Sequence, residues 1–311
     1  LMGNQPGSVA KSSSVVIPSS PYAGDFDKDG FGDVAVVNQE QGEVVILQRI
    51  ALDEPPTRIP VSGATTLAGG DITGSPLPDL IAISSYDNTL TIIENQGGNF
   101  SISETINTGA RPLDAVVKDV NGDGNQDLAV PAFGVDRVFI HLNDGNGSFL
   151  DPVEINVSAA PSSIDARDMD RDGDLDFVVA SAGEQRVDLL QNEGEGQFVL
   201  ASSFDLGFTP AALLTNDVVG DGGADGWIDL VISAQNGSST YIYQSDTEPD
   251  SFTFSLVSPT LEDPVSALGA TLADFDAGIE GGSDLDLARV NTATGQLRIA
   301  LNERNIRFQP P

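Results

Sequence analysis

One stretch of the sequence predicts the fold: Asp25-Phe26-Asp27-Lys28-Asp29-Gly30-Phe31-Gly32-Asp33. It places oxygen-bearing side chains at positions 1, 3, 5 and 9 and a glycine at position 6, where a tight loop must turn. The pattern returns in five later clusters, which begin at Asp71, Asp119, Asp168, Asp217 and Asp274. Their first residues are separated by 46, 48, 49, 49 and 57 positions, so the chain is an internal repeat.

Each acidic cluster is followed by short apolar runs. In the first unit these are Val34–Val37 and, about ten residues on, Val44–Leu47. Short runs rich in β-branched residues are typical of buried strands, and no segment shows the 3.6-residue period of an amphipathic helix. Turn residues such as Asn143-Asp144-Gly145 close the second run. A unit of about 48 residues with four short strands has the size of one propeller blade.

We therefore predict an all-β propeller of six blades, each of four antiparallel strands. Residues 1–13 are expected to form a flexible N-terminal segment, and residues 14–311 a single domain of six repeats. Ser14–Pro18 matches the strand that precedes each acidic loop, so it is predicted to complete the last blade and close the ring. A seventh blade would have to lie outside this chain.

The acidic loops have the composition of a calcium site. Their side-chain donors are carboxylate and amide oxygens, without His or Cys, which favours calcium over zinc or copper. Carboxylates about 4 Å apart repel each other by roughly 4 kcal/mol at an effective dielectric of 20, and a bound cation removes this conflict. The alternative is that Asp, Asn and Gly form ordinary solvated turns, since turns prefer these residues.

The six loops are not equivalent. Units one, three and four keep all donor positions, so three calcium sites are predicted there. The loops that begin at Asp217 and Asp274 are four residues longer, which displaces their donors and brings the maximum to five sites. The loop at Asp71 has only two carboxylates and has Pro76 where glycine is wanted, so it is predicted to be empty or weak.

The repeat resembles the FG-GAP/VCBS type of the integrin α-subunit propeller and of many secreted bacterial proteins. The resemblance covers nearly the whole chain and implies that each acidic loop joins the first two strands of a blade and binds calcium. Phe31, Asn125 and Asp174 would contribute backbone carbonyls. The side-chain ligands implied by the resemblance are Asp25, Asp27, Asp29, Asp33, Asp119, Asn121, Asp123, Asp127, Asp168, Asp170, Asp172 and Asp176. In the two stretched loops, the acidic pattern itself predicts Asp217, Asp221, Asp229, Asp274, Asp276, Asp284 and Asp286 as ligands.

The net charge excludes two classes of partner. The chain has 47 acidic and 14 basic residues, a formal charge of −33, so nucleic acids and anionic membrane surfaces would repel it. It has no cysteine and no apolar run long enough to insert in a membrane. An extracellular or cell-surface location is expected, with a signal peptide that is not in this chain.

The sequence favours binding over catalysis. It contains none of the common nucleophile, zinc-protease or phosphate-binding motifs. His141 lies in an apolar strand and Trp227 in a loop, which is typical of packing roles. We therefore expect a non-catalytic adhesion or protein-interaction module. The alternatives are a calcium-dependent lectin-like propeller and the non-catalytic scaffold of a polysaccharide-active enzyme. For the stretch 245–264 the sequence leaves two interpretations, a binding loop or an insertion without a binding role.

Overall fold

The computed structural model describes residues 21–30, 32–48, 55–145, 148–217, 227–235, 239–245, 253–262, 267–273, 286–291 and 296–300. These residues form 23 β-strands and no helix. No helix in the described part of the chain could therefore cross a membrane.

The described strands pair antiparallel into six sheets that follow one another along the chain, and we call them blades 1 to 6. Blades 1 to 3 contain β1 (Tyr22–Gly24), β2 (Asp33–Asn38), β3 (Glu43–Leu47), β4 (Thr57–Pro60); β5 (Thr66–Gly70), β6 (Asp79–Ser84), β7 (Thr89–Gln96), β8 (Asn99–Asn107); β9 (Val116–Lys118), β10 (Asp127–Ala132), β11 (Arg137–His141) and β12 (Val153–Asn156). Blades 4 to 6 contain β13 (Pro161–Arg167), β14 (Asp176–Ser181), β15 (Arg186–Asn192), β16 (Phe198–Asp205); β17 (Pro210–Asn216), β18 (Asp229–Ala234), β19 (Ser239–Ser245), β20 (Phe254–Glu262); β21 (Ala267–Ala273), β22 (Asp286–Asn291) and β23 (Gln296–Ala300).

Burial changes from the inner to the outer strands of a blade. Every residue of β6, β10, β14 and β18 is buried, because these second strands are covered on both faces, which explains their continuous apolar sequence. The fourth strands are more exposed instead. Every residue of β4, β8 and β12 is exposed or half-buried, as expected of an outer strand with one solvated face.

The hydrophobic core is divided into layers between neighbouring blades. Phe26 of blade 1 clusters with Leu80 of blade 2, and corresponding clusters join blades 2 and 3, 3 and 4, and 4 and 5. Neighbouring blades approach each other closely. At Gly70 of blade 2 there is no room for a side chain, because a Cβ atom would lie 2.5 Å from Val117 Cγ1 of blade 3. Blades 1 to 5 therefore bury apolar faces against their neighbours, as in other repeat architectures.

The structure confirms the all-β architecture and the strands predicted around the acidic loops. It also changes one interpretation, because residues 254–262 of the open stretch 245–264 form β20, the fourth strand of blade 5, and not a binding loop. The proposed closing strand 14–18 and the segment 1–13 lie outside the described residues. Closure of the ring and the number of blades therefore stay predictions.

Candidate metal centres

Each acidic loop joins the first and second strands of its blade, as predicted. Two loop positions have a left-handed backbone. Position 6 is glycine with φ of 84°, 90° and 101° at Gly30, Gly124 and Gly173. Position 4 is also left-handed in the first four loops, at Lys28, Gly74, Gly122 and Arg171. The glycine at position 6 is therefore required by the turn, since other residues rarely adopt such φ values.

Loop 1 gathers three carboxylates. One oxygen each of Asp25, Asp27 and Asp29 lie within 4.8 Å of one another. The Asp29 and Gly30 amides donate to Asp25 at 3.2 and 3.0 Å, so the backbone wraps around the first ligand. Phe31 lies outside the described residues. This set of converging oxygens fits a hard cation such as calcium.

Loop 4 gathers a second set of carboxylates, from Asp168, Asp170 and Asp176, again within 4.8 Å. Asp168 Oδ1 is buried and accepts no hydrogen bond within the described part of the chain. Burial, and then the neighbouring carboxylates of Asp170 and Asp172, raise the pKa of Asp176 to about 7. A cation at this position would give Asp168 Oδ1 a partner and reduce the repulsion between the neighbouring carboxylates.

Asp172, another predicted ligand of loop 4, lies outside this cluster, and its Oδ1 accepts a hydrogen bond from the Asp174 amide at 2.9 Å. The backbone-carbonyl role of Asp174 stays a prediction. Gln191 is an unpredicted neighbour, because its Nε2 donates to Asp170 Oδ2 at 2.7 Å.

Loop 3 is closed by its own hydrogen bonds. Asn121 Nδ2 donates to Asp123 Oδ2, and the Gly122 and Gly124 amides donate to Asp119. The Asn125 amide donates to Asp123 at 2.8 Å and lowers the pKa of that carboxyl. Among the described residues, Asp119, Asp123 and Asp127 do not form a convergent acidic cluster, and the donor at position 3 is the side chain of Asn121. Loops 1 and 4 have equivalent amide bonds, so these bonds do not distinguish loop 3.

Loop 2 is organised by hydroxyl and amide donors. Asp79 Oδ2 accepts bonds from the Ile72 amide, the Thr73 amide and Thr73 Oγ1, all at 2.9–3.0 Å. Pro76 stands where the other loops have glycine. The prediction that this loop holds little or no calcium remains.

The stretched loops are only partly described. Asp221, Asp274, Asp276 and Asp284 lie outside the described residues, while Asp217 follows β17 directly and Asp286 begins β22. Asp229 is fully buried at the start of β18. The guanidinium of Arg171 lies 3.7 Å from the ring centroid of Trp227, which supports the packing role predicted for this tryptophan.

The last Asp of loops 2, 3 and 4 has a structural role that the sequence analysis missed. Its Oδ2 accepts the amide of loop position 2, seven residues earlier, and its Oδ1 accepts an amide sixteen residues later at the end of the third strand. The bonds to Asp79, Asp127 and Asp176 show both halves of this pattern, with lengths of 2.8–3.0 Å. All three side chains are at most 1% exposed. In these three loops the last Asp therefore ties the loop to its own blade.

An asparagine then ties each blade to the preceding loop. The residues are Asn95, Asn143 and Asn192, each sixteen positions after the last Asp of its loop. Their Nδ2 atoms donate to the carbonyls of Phe26, Ile72 and Val120 in the preceding blade at 2.8, 2.9 and 2.8 Å. Together with the aspartates they form a buried chain of hydrogen bonds across blades 1 to 4. The recurrence of Asn at this spacing is visible in the sequence, but its partner is not.

His141, the one histidine of the chain, is 3% exposed at the end of β11 and contacts Phe149 edge-on, with ring centroids 6.4 Å apart. Its Nε2 has no hydrogen-bond partner in the described part of the chain, and burial lowers its pKa to about 4. The ring is therefore neutral and packed, which does not suit a general acid or base at neutral pH.

A pH-dependent loss of stability follows from this burial. The folded pKa of about 4 lies below the ordinary value of 6.5, so the stabilising effect of neutral His141 is complete above pH 6.5 and is lost as the pH falls towards 4. Relative to a His141→Phe variant, the wild type is expected to lose about 2–3 kcal/mol of unfolding free energy between pH 7 and 4.5. Urea unfolding of both proteins at the two pH values measures this, and a constant difference between them would contradict it.

Comparisons with known proteins agree with this geometry. The model of the FG-GAP-like repeat matches residues 71–130, 119–179 and 168–225. No curated protein sequence matches the chain. Among solved structures, BBS1N in complex with ARL6DN has a TM-score of 0.64 at 14% identity, over 94% of this chain and 81% of that one.

Two further structures have the same fold. An Agrocybe aegerita lectin that recognises non-reducing terminal N-acetylglucosamine has a TM-score of 0.62 at 18% identity, over 95% of this chain and 80% of its own. The other is a catalytically inactive histidine-to-alanine variant of virginiamycin B lyase from Staphylococcus aureus, with quinupristin. Its TM-score is 0.59 at 14% identity, over 96% of this chain and 86% of that one. At these identities the likeness shows the fold alone.

Proposed function

Because this chain is an FG-GAP-repeat protein with a propeller-like series of sheets, we propose that it is an extracellular adhesion or protein-interaction module whose blades are braced by calcium. The calcium part of this proposal rests on the convergence of three carboxylates in each of two loops. They are Asp25, Asp27 and Asp29 in loop 1 and Asp168, Asp170 and Asp176 in loop 4. The proposal includes a closed ring of six blades, in which residues 14–18 pair with blade 6. The test of ring closure is removal of residues 1–18, which should destabilise the protein.

Calcium would act as a structural ion. In loops 1 and 4 the three gathered carboxylates would hold it, and in loop 3 the donors would be Asp119, Asn121, Asp123 and Asp127 after their internal bonds open. The ion would neutralise like charges that the fold forces together. Extracellular calcium modules with dissociation constants of about 10⁻⁴–10⁻³ M are filled at millimolar calcium, which is why we place the protein outside the cell.

The proposed binding surface lies at the end of the blades opposite the acidic loops. In an antiparallel four-stranded blade, the turns between strands 2 and 3 and the links to the next blade share that end. Tyr86 stands there with 84% of its surface exposed, and the guanidinium of Arg111 lies 4.4 Å from the ring centroid of Phe133. Large exposed aromatic and Arg side chains are typical anchors of protein–protein interfaces.

This surface is held rigidly. Asn88 Oδ1 accepts the Arg111 amide and Asp136 Oδ1 accepts the Ala160 amide, both at 2.8 Å, so each hairpin is fixed to the following link. A preorganised surface loses less conformational entropy when a partner binds. The solved complex of BBS1N with ARL6DN, on the same fold, supports a protein as the partner class.

A glycan is the second candidate ligand, because a lectin has the same fold. One feature counts against it. Tyr86 corresponds to Gly134 and Gly183 in the next two blades, so its aromatic ring is not repeated as a set of equivalent sugar platforms would require. Catalysis is not part of the proposal. The lyase neighbour is described as inactive when one histidine is replaced, whereas the single histidine here is buried.

The test is a binding experiment on immobilised extracellular matrix proteins and a glycan array, in 1 mM calcium and in chelator. We expect saturable, calcium-dependent binding to a protein that is lost when Tyr86 and Arg111 are both replaced by Ser. The matched control is Gln197→Ser, an exposed change in the β15–β16 hairpin at the opposite end, which should bind normally. Binding to a defined sugar alone would favour the lectin, and equal loss in the control would refute the assigned surface.

A further inference from the structure

The acidic loops of blades 1 and 3 are each held by an asparagine of the following blade. We propose that Asn95 and Asn192 are positioning residues for calcium in loops 1 and 3, so that each of these sites is completed by the next blade. This inference rests on the proposed calcium function and adds residues that the nine-residue loop pattern does not contain.

In loop 1, the peptide at position 2 is fixed from two blades. Phe26 lies between the predicted ligands Asp25 and Asp27, and its amide donates to Asp33 of its own blade at 3.0 Å. Its carbonyl accepts Asn95 Nδ2 of blade 2 at 2.8 Å. The fully buried Phe26 ring also packs edge-on against Phe100 of blade 2, with centroids 5.7 Å apart. Both flanking carboxylates therefore start from a backbone that blade 2 holds in place.

Asn95 also sets a hairpin against loop 1. Its Oδ1 accepts the Gly98 amide at 2.9 Å, and a Cβ atom at Gly98 would lie 3.3 Å from Asp27 Cβ. The hairpin between β7 and β8 thus touches a predicted ligand directly. Loss of the Asn95 side chain would release the loop carbonyl and this hairpin together, which gives the carboxylates more freedom before calcium binds.

Loop 3 repeats the arrangement with residues of blade 4. Asn192 Nδ2 donates to the carbonyl of Val120, which lies between Asp119 and Asn121, at 2.8 Å. A Cβ atom at Gly196 in the following hairpin would lie 3.4 Å from Asn121 Cβ. Residues that orient metal ligands without touching the metal commonly change its affinity by 10- to 100-fold when they are replaced.

The chain contains its own matched control. Asn143 donates to Ile72 of loop 2 at 2.9 Å and accepts the Gly145 amide at 3.0 Å, as its counterparts do with corresponding partners. Each of the three asparagines also donates to a carbonyl in the loop of its own blade, at Pro78, Gln126 and Leu175. Loop 2, however, has only two carboxylates and is predicted to hold little or no calcium. Serine is the natural choice of substitute, because Ser245 occupies this position in blade 5, where its amide still donates to Asp229 at 3.1 Å.

The experiment is a calorimetric calcium titration of the calcium-free full chain and its variants. Asn95→Ser and Asn192→Ser should each weaken calcium binding by about tenfold or more. Asn143→Ser removes no hold of a following blade on a calcium loop, only a bond to Gln126 in its own blade, and should weaken binding much less. All three should lower the melting temperature in chelator by similar amounts, because they lose the same bonds. In a protein that already has Asp25→Ala, adding Asn95→Ser should not alter the titration further.

The possible failures are distinct. If the unsubstituted protein binds no calcium, the proposed function falls and this inference with it. If it binds calcium but Asn95→Ser and Asn192→Ser bind equally well, or Asn143→Ser weakens binding as much as they do, only the positioning role is refuted. The two sites are independent, so poor folding of one variant leaves the other as a test.

Discussion

Asp79→Ala is expected to lower the free energy of unfolding by about 4 kcal/mol or more, the largest effect of any single substitution considered for this protein. The Asp79 carboxylate is fully buried and accepts four hydrogen bonds, from the amides of Ile72, Thr73 and Asn95 and from Thr73 Oγ1. Each buried donor left without a partner costs about 1–3 kcal/mol. Urea unfolding measures the loss.

The unfolding is measured in chelator, so that metal binding does not contribute. This matters because Asp79 also accepts the amide of Asn95, the positioning residue proposed for loop 1. Asp151→Ala, an exposed change outside any described strand, is the control and should alter stability by less than about 0.5 kcal/mol. Asp79→Asn preserves the shape and serves if the alanine variant does not fold. A loss below about 1 kcal/mol for both variants would refute the structural role.

Removal of calcium is expected to produce a loss of similar size spread over several loops. With a dissociation constant near 10⁻⁴ M, 1 mM calcium stabilises the folded chain by about 1.4 kcal/mol per site. Three to five sites then contribute about 4–7 kcal/mol, which corresponds to roughly 6–11 °C in melting temperature for a chain of this length. Calorimetric melts with 1 mM calcium and with chelator, both at pH 7.5, measure the difference.

Two variants assign this effect to the loops. Asp25→Ala and Asp168→Ala each remove the first ligand of a loop whose carboxylates converge, so each should reduce the calcium-dependent shift by about one site. Magnesium at the same concentration should restore little stability, because it dehydrates reluctantly and demands octahedral geometry. A melting temperature unaffected by chelator would exclude structural calcium.

The sequence predicted the elements well for a physical reason. Strands such as β6 and β14 are continuous apolar runs, and the loops between strands carry Asp, Asn and Gly at fixed spacing. Both signals are local, because side-chain alternation and turn geometry depend on a few neighbouring residues. The strand at residues 254–262 was not predicted, because the apolar pattern of β20 is weaker and the strand follows a departure from the repeat period.

The candidate sites were predicted less completely. Loops 3 and 4 share the donor spacing, but loop 4 gathers three carboxylates, whereas loop 3 has Asn121 in place of Asp170. In both loops the carboxylates also accept bonds from amides of the loop itself. Asn and Asp side chains can either converge on a cation or satisfy the nearby backbone, and spacing alone does not distinguish these outcomes.

By itself, the sequence determined the repeat, the order of strands and acidic loops, and the hard-oxygen character of the loops, since all of these are written within one repeat of about 48 residues. Only the tertiary structure decided that the last Asp of loops 2, 3 and 4 braces its blade and that Asn95, Asn143 and Asn192 tie blades 2, 3 and 4 to the loop before each. These asparagines lie 69, 71 and 72 residues from their partners. Such bonds form only when neighbouring blades pack. Packing buries the loop carbonyl between the blades, where an unpaired carbonyl is costly, so an Asn donor there stabilises the fold.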